Sequence, residues 1–482
     1  MSIRSELTKG VFWIALAKYS GLIISLIVTG ILARHISPTA FGTIAVATVI
    51  MTFLDIFSDM GLGVAIVQFK DLTKRQIYSL FSLNIGIAIL LTGLLFVSAP
   101  FIAKYYEDET LTTIIYWLCI SLFFNSLNIV PNGLMLKNKR FRDIALRTLS
   151  LQIISGTAAC IAALNGWGIK ALLISPIVTA VGVFTFNFFN YPQRPVWPIE
   201  MPVIKRIWGY SVFQFLFSVI NYFSRNADKL IIGKYMSMKD LGYYDKSYRL
   251  MQMPLQNITF VITPVLHPIL SSLQDNKQEL SDKNIRLTQI LSYVSFPLGI
   301  ILYFCADPII SIIFGLNWAP AIPVFRILAI SVPLQVVLST SGSIYQAAGK
   351  TKHLFICGLQ SAICTVGAFI FTAIYFKTIN AMAWAWDIAL FINFCFCYWF
   401  MYKYTFTNRG VRFLYTFLPQ IINSIVSTLI TILATQLWLP NNPIIQIIWV
   451  VMIVAVSTLT MSYVLRQYSI ISIIHKVLKR EE

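Results

Sequence analysis

Gln214-Phe-Leu-Phe-Ser-Val-Ile-Asn-Tyr-Phe-Ser-Arg-Asn-Ala-Asp-Lys229 lies inside an apolar segment that runs from 204 to 233. At helical spacing Gln214, Ser218, Asn221, Arg225, Asp228 and Lys229 fall on one face, and Phe213, Phe217, Val219, Ile220 and Phe223 cover the rest. The segment is long enough to cross a bilayer. A charge at the bilayer centre costs about 2.5–3.5 kcal/mol, so Arg225, Asp228 and Lys229 must face an aqueous cavity or one another. That face is the first place to look for function.

Working outward, the whole chain has the same character. Of its 482 residues 57% are apolar and 12% charged, about half the charged fraction of a soluble domain. Apolar runs follow one another almost without a gap, which specifies an all-α polytopic membrane protein. The net charge of +18 raises nucleic acid as a partner, but the basic residues occupy the short gaps between runs, where membrane orientation accounts for them. Nucleic-acid binding is therefore set aside. The seven cysteines, Cys119, Cys160, Cys305, Cys357, Cys364, Cys395 and Cys397, all lie in apolar runs and read as packing residues. The run from Gly10 follows Arg4 and Lys9 as a signal peptide would, but it is too long and carries Lys18, so it reads as a retained first crossing.

Length and punctuation predict about fourteen crossings: 10–33, 41–68, 77–103, 111–135, 143–164, 168–190, 204–233, 242–272, 286–314, 321–347, 353–376, 379–402, 413–438 and 443–466. Even-numbered gaps and both termini carry the Lys and Arg residues by about four to one over odd-numbered gaps, which places both ends in the cytoplasm. The predicted organisation is an N-terminal lobe of six helices at 1–190, a cytoplasmic linker at 191–203 and a second six-helix lobe at 204–402. A helix pair at 403–466 and an amphipathic interfacial tail at 467–482 complete it. The acidic run Glu107, Asp108 and Glu109 reads as a solvated external loop.

The two lobes look duplicated. Ile31-Leu-Ala-Arg-His-Ile-Ser-Pro-Thr-Ala-Phe-Gly42 aligns with Ile231-Ile-Gly-Lys-Tyr-Met-Ser-Met-Lys-Asp-Leu-Gly242, with identity at Ile31/Ile231, Ser37/Ser237 and Gly42/Gly242. Both stretches join the first and second crossings of a six-crossing half. Six is even, so the halves share orientation, as in transporters that rock two lobes about a central site.

Ionisable residues at membrane depth concentrate in the first two helices of each lobe. Lys18, Arg225, Lys229, Lys246 and Arg249, joined by Arg147 and Arg326, are the candidate substrate-binding cations. Asp55, Asp59, Asp228 and Asp245 are the candidate ion- or proton-coupling groups. The cationic surplus suits a phosphate-bearing ligand, because guanidinium clamps phosphate oxygens through paired hydrogen bonds. Internal pairing is the open alternative for Asp228, with Lys229 or Arg225, and for Asp245, with Arg249 at i, i+4. Arg147, Arg249, Lys246 and Asp307 have snorkelling to an interface as their alternative. His267 before Pro268 reads as a packing residue. No nucleotide, metal or nucleophile motif is present, no cofactor or metal is indicated, and an enzyme is disfavoured.

Four stretches carry a family resemblance: Leu32-Ala-Arg-His-Ile-Ser-Pro-Thr-Ala-Phe-Gly42, Phe57-Ser-Asp-Met-Gly-Leu-Gly-Val-Ala-Ile-Val-Gln68, Pro131-Asn-Gly-Leu-Met-Leu-Lys-Asn-Lys-Arg-Phe141 and Asn226-Ala-Asp-Lys-Leu-Ile-Ile-Gly233. Through them the chain resembles the Wzx-type oligosaccharide flippases, the polysaccharide-transporter branch of the multidrug/oligosaccharidyl-lipid/polysaccharide exporter superfamily, and among these the colanic acid exporter-like members. The resemblance implies a MATE-like two-lobed bundle in a bacterial inner membrane. Its substrate would be an undecaprenyl-pyrophosphate-linked oligosaccharide, carried by alternating access from the inner to the outer leaflet. Membrane lipids, H+ or Na+, and a polysaccharide polymerase with its chain-length machinery are the implied partners. A multidrug exporter and a lipid II flippase are the competing readings within the superfamily, and a membrane-embedded glycan polymerase or ligase is the competing reading from outside it.

Overall fold

The computed structural model describes residues 3–271, 276–406 and 410–465. The tail read at 467–482 and the side chains of Gln214 and His267 lie outside the described residues. Among the described residues all regular structure is helical. The chain is an all-α polytopic membrane protein: among the described residues eleven helices are long and apolar enough to cross a bilayer, or twelve if a bent pair at 321–347 is one span. The expected crossings at 204–233 and 242–272 correspond to helices of 35 and 34 residues, which stand outside that set.

The chain divides into two compact units, Met1–Gly242 with Ile313–Gly315, and Tyr243–Ile312 with Leu316–Glu482. Unit 1 holds α1 (Ile3–His35), α2 (Pro38–Asp59), α3 (Leu62–Gln68), α4 (Lys74–Tyr106), α5 (Thr110–Lys137), α6 (Phe141–Leu164), α7 (Ile169–Asn190) and α8 (Met201–Tyr235). The helix α9 (Met238–Ser271) begins in unit 1 and continues in unit 2. Unit 2 continues with α10 (Lys277–Phe304), α11 (Ala306–Ile313), α12 (Ala321–Ile330), α13 (Val332–Leu338), α14 (Ser341–Ala347), α15 (Thr351–Tyr375) and α16 (Ile379–Phe400). It ends with α17 (Val411–Tyr415), α18 (Leu418–Leu437) and α19 (Pro443–Val464).

Local chemistry sets the ends of these helices. Thr73 and Gln76 form a reciprocal capping box at the start of α4, with bonds of 3.2 and 3.1 Å. The crossing expected at 41–68 is two helices, because Met60 and Gly61 adopt φ of 39° and 80° and end α2. Asp59 then serves the second helix: its carboxylate accepts the Gly61 and Gly63 N–H groups, each at 3.2 Å. The acidic run beyond α4 is tied down on both sides. Glu107 pairs with Lys234 at 2.9 Å, while Asp108 accepts the Thr43 hydroxyl at 2.9 Å and the Thr110 N–H at 3.0 Å.

A core cluster in unit 1 joins Leu62, Ala65 and Ile66 of α3 to Leu80 and Phe81 of α4, Val130 and Leu134 of α5, and Val203 and Ile207 of α8. The first turns of α8 are therefore part of unit 1. The segment that leads into them is pinned to α4 by Val196 N–H to Ser82 Oγ at 2.7 Å and Glu200 N–H to Ser79 Oγ at 2.6 Å. Nearby, the Arg206 guanidinium donates to both Asp71 carboxylate oxygens, at 2.7 and 3.2 Å. Those hydrogen bonds hold the Asp71 carboxyl below the usual carboxylate range.

In unit 2, α18 is polar inward and apolar outward. It buries Gln420, Asn423, Ser427 and Thr431 and exposes Ile421, Ile425, Leu429 and Leu433. Asn423 reaches α19 at the Thr458 carbonyl and the Ser462 hydroxyl, each at 3.4 Å. In hydrocarbon such an inverted pattern is the stable one, since lipid accepts the apolar face and small polar residues pack and bond between helices.

The two loops matched in the sequence play matched roles. Ser37 caps the Ala40 N–H at 3.4 Å and Ser237 caps the Asp240 N–H at 3.0 Å. The glycines five residues on press the first turns of α2 and α9 together. A Cβ on Gly42 would stand 1.7 Å from the Met238 carbonyl oxygen, and one on Gly242 would stand 2.0 Å from that of Pro38. Only hydrogen fits at either position. Gly42→Ala or Gly242→Ala is expected to destabilise the protein by about 3 kcal/mol through backbone displacement. Gly86→Ala, with no atom within 4 Å of its Cβ, should be neutral or slightly stabilising. Thermal unfolding in detergent compares the three.

Candidate functional site

The predicted site residues are set out by unit. In unit 1, Asp55 of α2 is hydrogen-bonded to the Asn125 side chain of α5 and has no Lys or Arg at ion-pair distance among the described residues. Tyr222 of α8 lies beside it, donating its hydroxyl to the Val49 carbonyl at 2.5 Å. Phe53, Phe57, Phe215 and Phe223 close over this region, with ring centroids 4.7–5.1 Å apart. Asp55 is thus a carboxylate beside an amide donor and aromatic rings, whereas Asp59 is engaged in capping α3.

The face of α8 that opened the sequence reading is split by the fold. Arg225 is exposed and forms no ion pair among the described residues. Asp228 and Lys229 are buried, at 0% and 9% exposure. The Asp228 carboxylate accepts the Lys229 N–H at 2.8 Å, and the Lys229 ammonium donates to Asn226 Oδ1 at 3.2 Å. Lys18 of α1 is half-buried, on a helix that packs against α6 through Gln152 Nε2 to the Gly21 carbonyl at 2.7 Å.

Arg147 of α6 has an unusual setting. Its guanidinium donates to Asn187 Oδ1 of α7 and to Asn132 Oδ1 of α5, the latter at 3.5 Å. Asn187 Nδ2 in turn donates to Asn128 Oδ1 at 2.7 Å and to Asn132 Oδ1 at 3.3 Å. Arg147 is 8% exposed and Asn187 is fully buried. Neutral amide dipoles, rather than a carboxylate, solvate this cation. Sequence reasoning named Arg147 but missed the asparagines because it counted only ionisable side chains. Asn125, Asn128 and Asn132 repeat at i, i+3 and i+7 on α5, the spacing of one helix face.

In unit 2, Asp245 and Arg249 of α9 pair at 2.8 Å, with Asp245 buried and Arg249 about half exposed. Lys246 is buried at 9% exposure. Arg326 of α12 pairs with Asp307 of α11, so each has a partner within its own unit. Among the described residues no group of three or more His, Cys, Asp or Glu side chains could hold a metal ion.

Asn187→Leu should strand the Arg147 cation and cost about 3 kcal/mol. Arg147→Met in that background should recover a large part of the loss, because the unsolvated charge is gone. A double-mutant cycle on thermal unfolding measures the coupling, and additive effects would show that the amides do not solvate the guanidinium.

With this geometry in place, comparison with known proteins gives a consistent set of likenesses. A family profile described as polysaccharide biosynthesis protein matches residues 31–323. The teichuronic acid biosynthesis protein TuaB of Bacillus subtilis is 26% identical over 82% of this chain and 82% of its own length. The succinoglycan biosynthesis transport protein ExoT of Rhizobium meliloti is 26% identical over 78% and 76%, and the lipopolysaccharide biosynthesis protein WzxC of Escherichia coli is 24% identical over 74% and 73%. Among solved structures, the lipid II flippase MurJ in an inward closed conformation aligns with a TM-score of 0.76 at 16% identity, covering 95% of this chain and 100% of that one. An inward-facing multidrug resistance MATE transporter aligns at 0.60 and 13% identity, covering 78% and 93%. The fold is therefore of the MurJ and MATE type.

Proposed function

Because the chain belongs to the polysaccharide biosynthesis protein family, we propose that it is a flippase for undecaprenyl-pyrophosphate-linked oligosaccharides. It moves the repeat unit of an O-antigen, capsule or exopolysaccharide from the inner to the outer leaflet of a bacterial inner membrane, with both chain termini in the cytoplasm, and it is not an enzyme. The observation that carries this reading is the range of its relatives. Proteins named for teichuronic acid, succinoglycan and lipopolysaccharide biosynthesis all match most of this chain, so the frame they have in common is indifferent to the glycan. A ligand element common to such substrates is the lipid phosphate, and the cationic surplus of the membrane helices suits it.

On this reading Arg225, exposed on α8, is the leading phosphate contact. Lys18, Lys229, Lys246 and Arg249 supply further positive potential along α1, α8 and α9. Arg147 and Arg326 contribute through the field rather than by contact, since amides enclose the first and Asp307 pairs with the second. The polyprenyl tail stays in lipid, for which the apolar outer faces of α18 and α19 are suited. Asp55 is the strongest candidate for coupling transport to H+ or Na+. Among the described residues it has no cationic partner, whereas Asp59 caps a helix, Asp228 meets the backbone and Asp245 meets Arg249. A polysaccharide polymerase and its chain-length machinery would receive the product.

The test is native mass spectrometry of the purified protein offered undecaprenyl-pyrophosphate oligosaccharide in competition with a lipophilic cationic drug. Selective retention of the anionic lipid, weakened about tenfold or more by Arg225→Ala, is the expected result, tenfold corresponding to about 1.4 kcal/mol. Retention of the drug instead would move the reading to multidrug export, and full retention of the lipid by Arg225→Ala would displace the site from α8.

A further inference from the structure

The proline-rich strap between α7 and α8, Pro192-Gln-Arg-Pro-Val-Trp-Pro-Ile-Glu200, lies at the end of unit 1 where α4, α6 and α8 begin and α5 and α7 finish. Its burial repeats every third residue. Gln193, Val196 and Ile199 turn inward, whereas Pro192, Arg194, Pro195, Trp197 and Pro198 are exposed; a period of three is that of an extended proline-rich chain. The inward side is fastened to α4, because Ser82 and Ser79 accept the Val196 and Glu200 N–H groups and the Glu200 carboxylate meets Arg75 at 3.2 Å. A strap held in this way keeps Arg194 and Trp197 outward.

The same corner has more cations than acids. The 69–73 loop and the strap carry one acid each, Asp71 and Glu200, and an arginine takes each of them, Arg206 at 2.7 Å from Asp71 and Arg75 from Glu200. These two pairs bring the loop against the first turns of α8 and the start of α4 against the strap. Lys70 beside Asp71, Lys74 beside Arg75, Lys205 beside Arg206, and Arg194 on the strap are exposed and form no ion pair among the described residues.

Between these cations the outward side chains are large and apolar. Trp197 is 85% exposed, Met201 58% and Trp208 42%, and Met201, Lys205 and Trp208 follow at i, i+4 and i+7 on one face of α8. Apolar side chains interleaved with cations, at the ends of membrane helices, match a headgroup layer: indole rings settle at the interface and the cations meet phosphates. A zwitterionic headgroup brings its own cation, so a corner whose acids are already taken selects headgroups of net negative charge.

We propose that Arg194 and Trp197 on the strap, with Lys70, Lys74 and Lys205 around it, form a seat for anionic phospholipid headgroups, among which Trp197 inserts at the membrane surface. The seat fastens the start of α8 to the bilayer surface, so the helix that carries Arg225 begins at a set depth.

Full-length protein in nanodiscs of equal parts phosphatidylglycerol and phosphatidylcholine, with bromine near the top of the acyl chains of one lipid or the other, tests this without any lipid-linked glycan. The emission of Trp197 is the native spectrum minus that of Trp197→Phe. It should be quenched about twofold more strongly when the bromine is on phosphatidylglycerol than when it is on phosphatidylcholine, since basic side chains at a membrane surface enrich anionic lipid around them. Lys70→Gln, Arg194→Gln and Lys205→Gln together should keep the native thermal midpoint, the three side chains being exposed, and should make the two lipids quench equally. Equal quenching in the native chain, or a preference for phosphatidylglycerol that survives the triple variant, would overturn the anionic-headgroup assignment. A Trp197 quenched by neither lipid would overturn the seat altogether and turn this face toward a partner in water.

Discussion

Hydrocarbon cannot accept or donate a hydrogen bond, and that constraint shapes the interruptions of the membrane helices in this chain. It explains why the broken span at 60–61 is finished by Asp59 accepting two N–H groups and why the bend at Ser331 is finished by Ser331 and Gln335. The same constraint turns α18 inside out, with Asn423 and its neighbours inward and the isoleucines outward. In water each of these devices would be worth little, because solvent would satisfy the same groups.

Charge follows the same logic with larger energies. Three solutions coexist in the fold. Asp245 with Arg249 and Asp307 with Arg326 are ion pairs within one unit. Arg147 is solvated by a set of asparagine amides that α5 and α7 bring to α6. Asp55 and Asp387 have no Lys or Arg at ion-pair distance among the described residues, and both Asp387 carboxylate oxygens lack a hydrogen-bond partner there. The first two solutions neutralise or spread a charge within the protein, and the third does neither. What distinguishes these charges is their surroundings rather than their residue type.

Close helix contact is the other demand a bilayer makes, since lipid tails are as apolar as the side chains they would displace. Gly42 and Gly242 meet it in matched fashion, each against the backbone of the other's helix. The fixed offset between the two loops is a symmetry that neither loop needs for its own stability. A duplicated frame with a shared contact gives it a reason, and the capping serines at 37 and 237 occupy the same relative positions.

The sequence by itself determined the fold class, because apolar length and the scarcity of charge leave a helical membrane protein as the only stable arrangement. It also determined the duplicated loops and the charged residues to be explained. It did not determine which charges meet. Arg225 and Lys229 share a helical face at four-residue spacing, yet one is exposed and the other buried; periodicity names a face but not what packs against it. Asn187 lies 40 residues from Arg147, a separation over which no local pattern speaks. The bend at Ser331 was read as part of one continuous crossing at 321–347, because an interrupted helix has the same apolar length as a whole one. Tertiary packing alone decided these, since in a low-dielectric interior the cost of a charge is set by the few atoms that surround it.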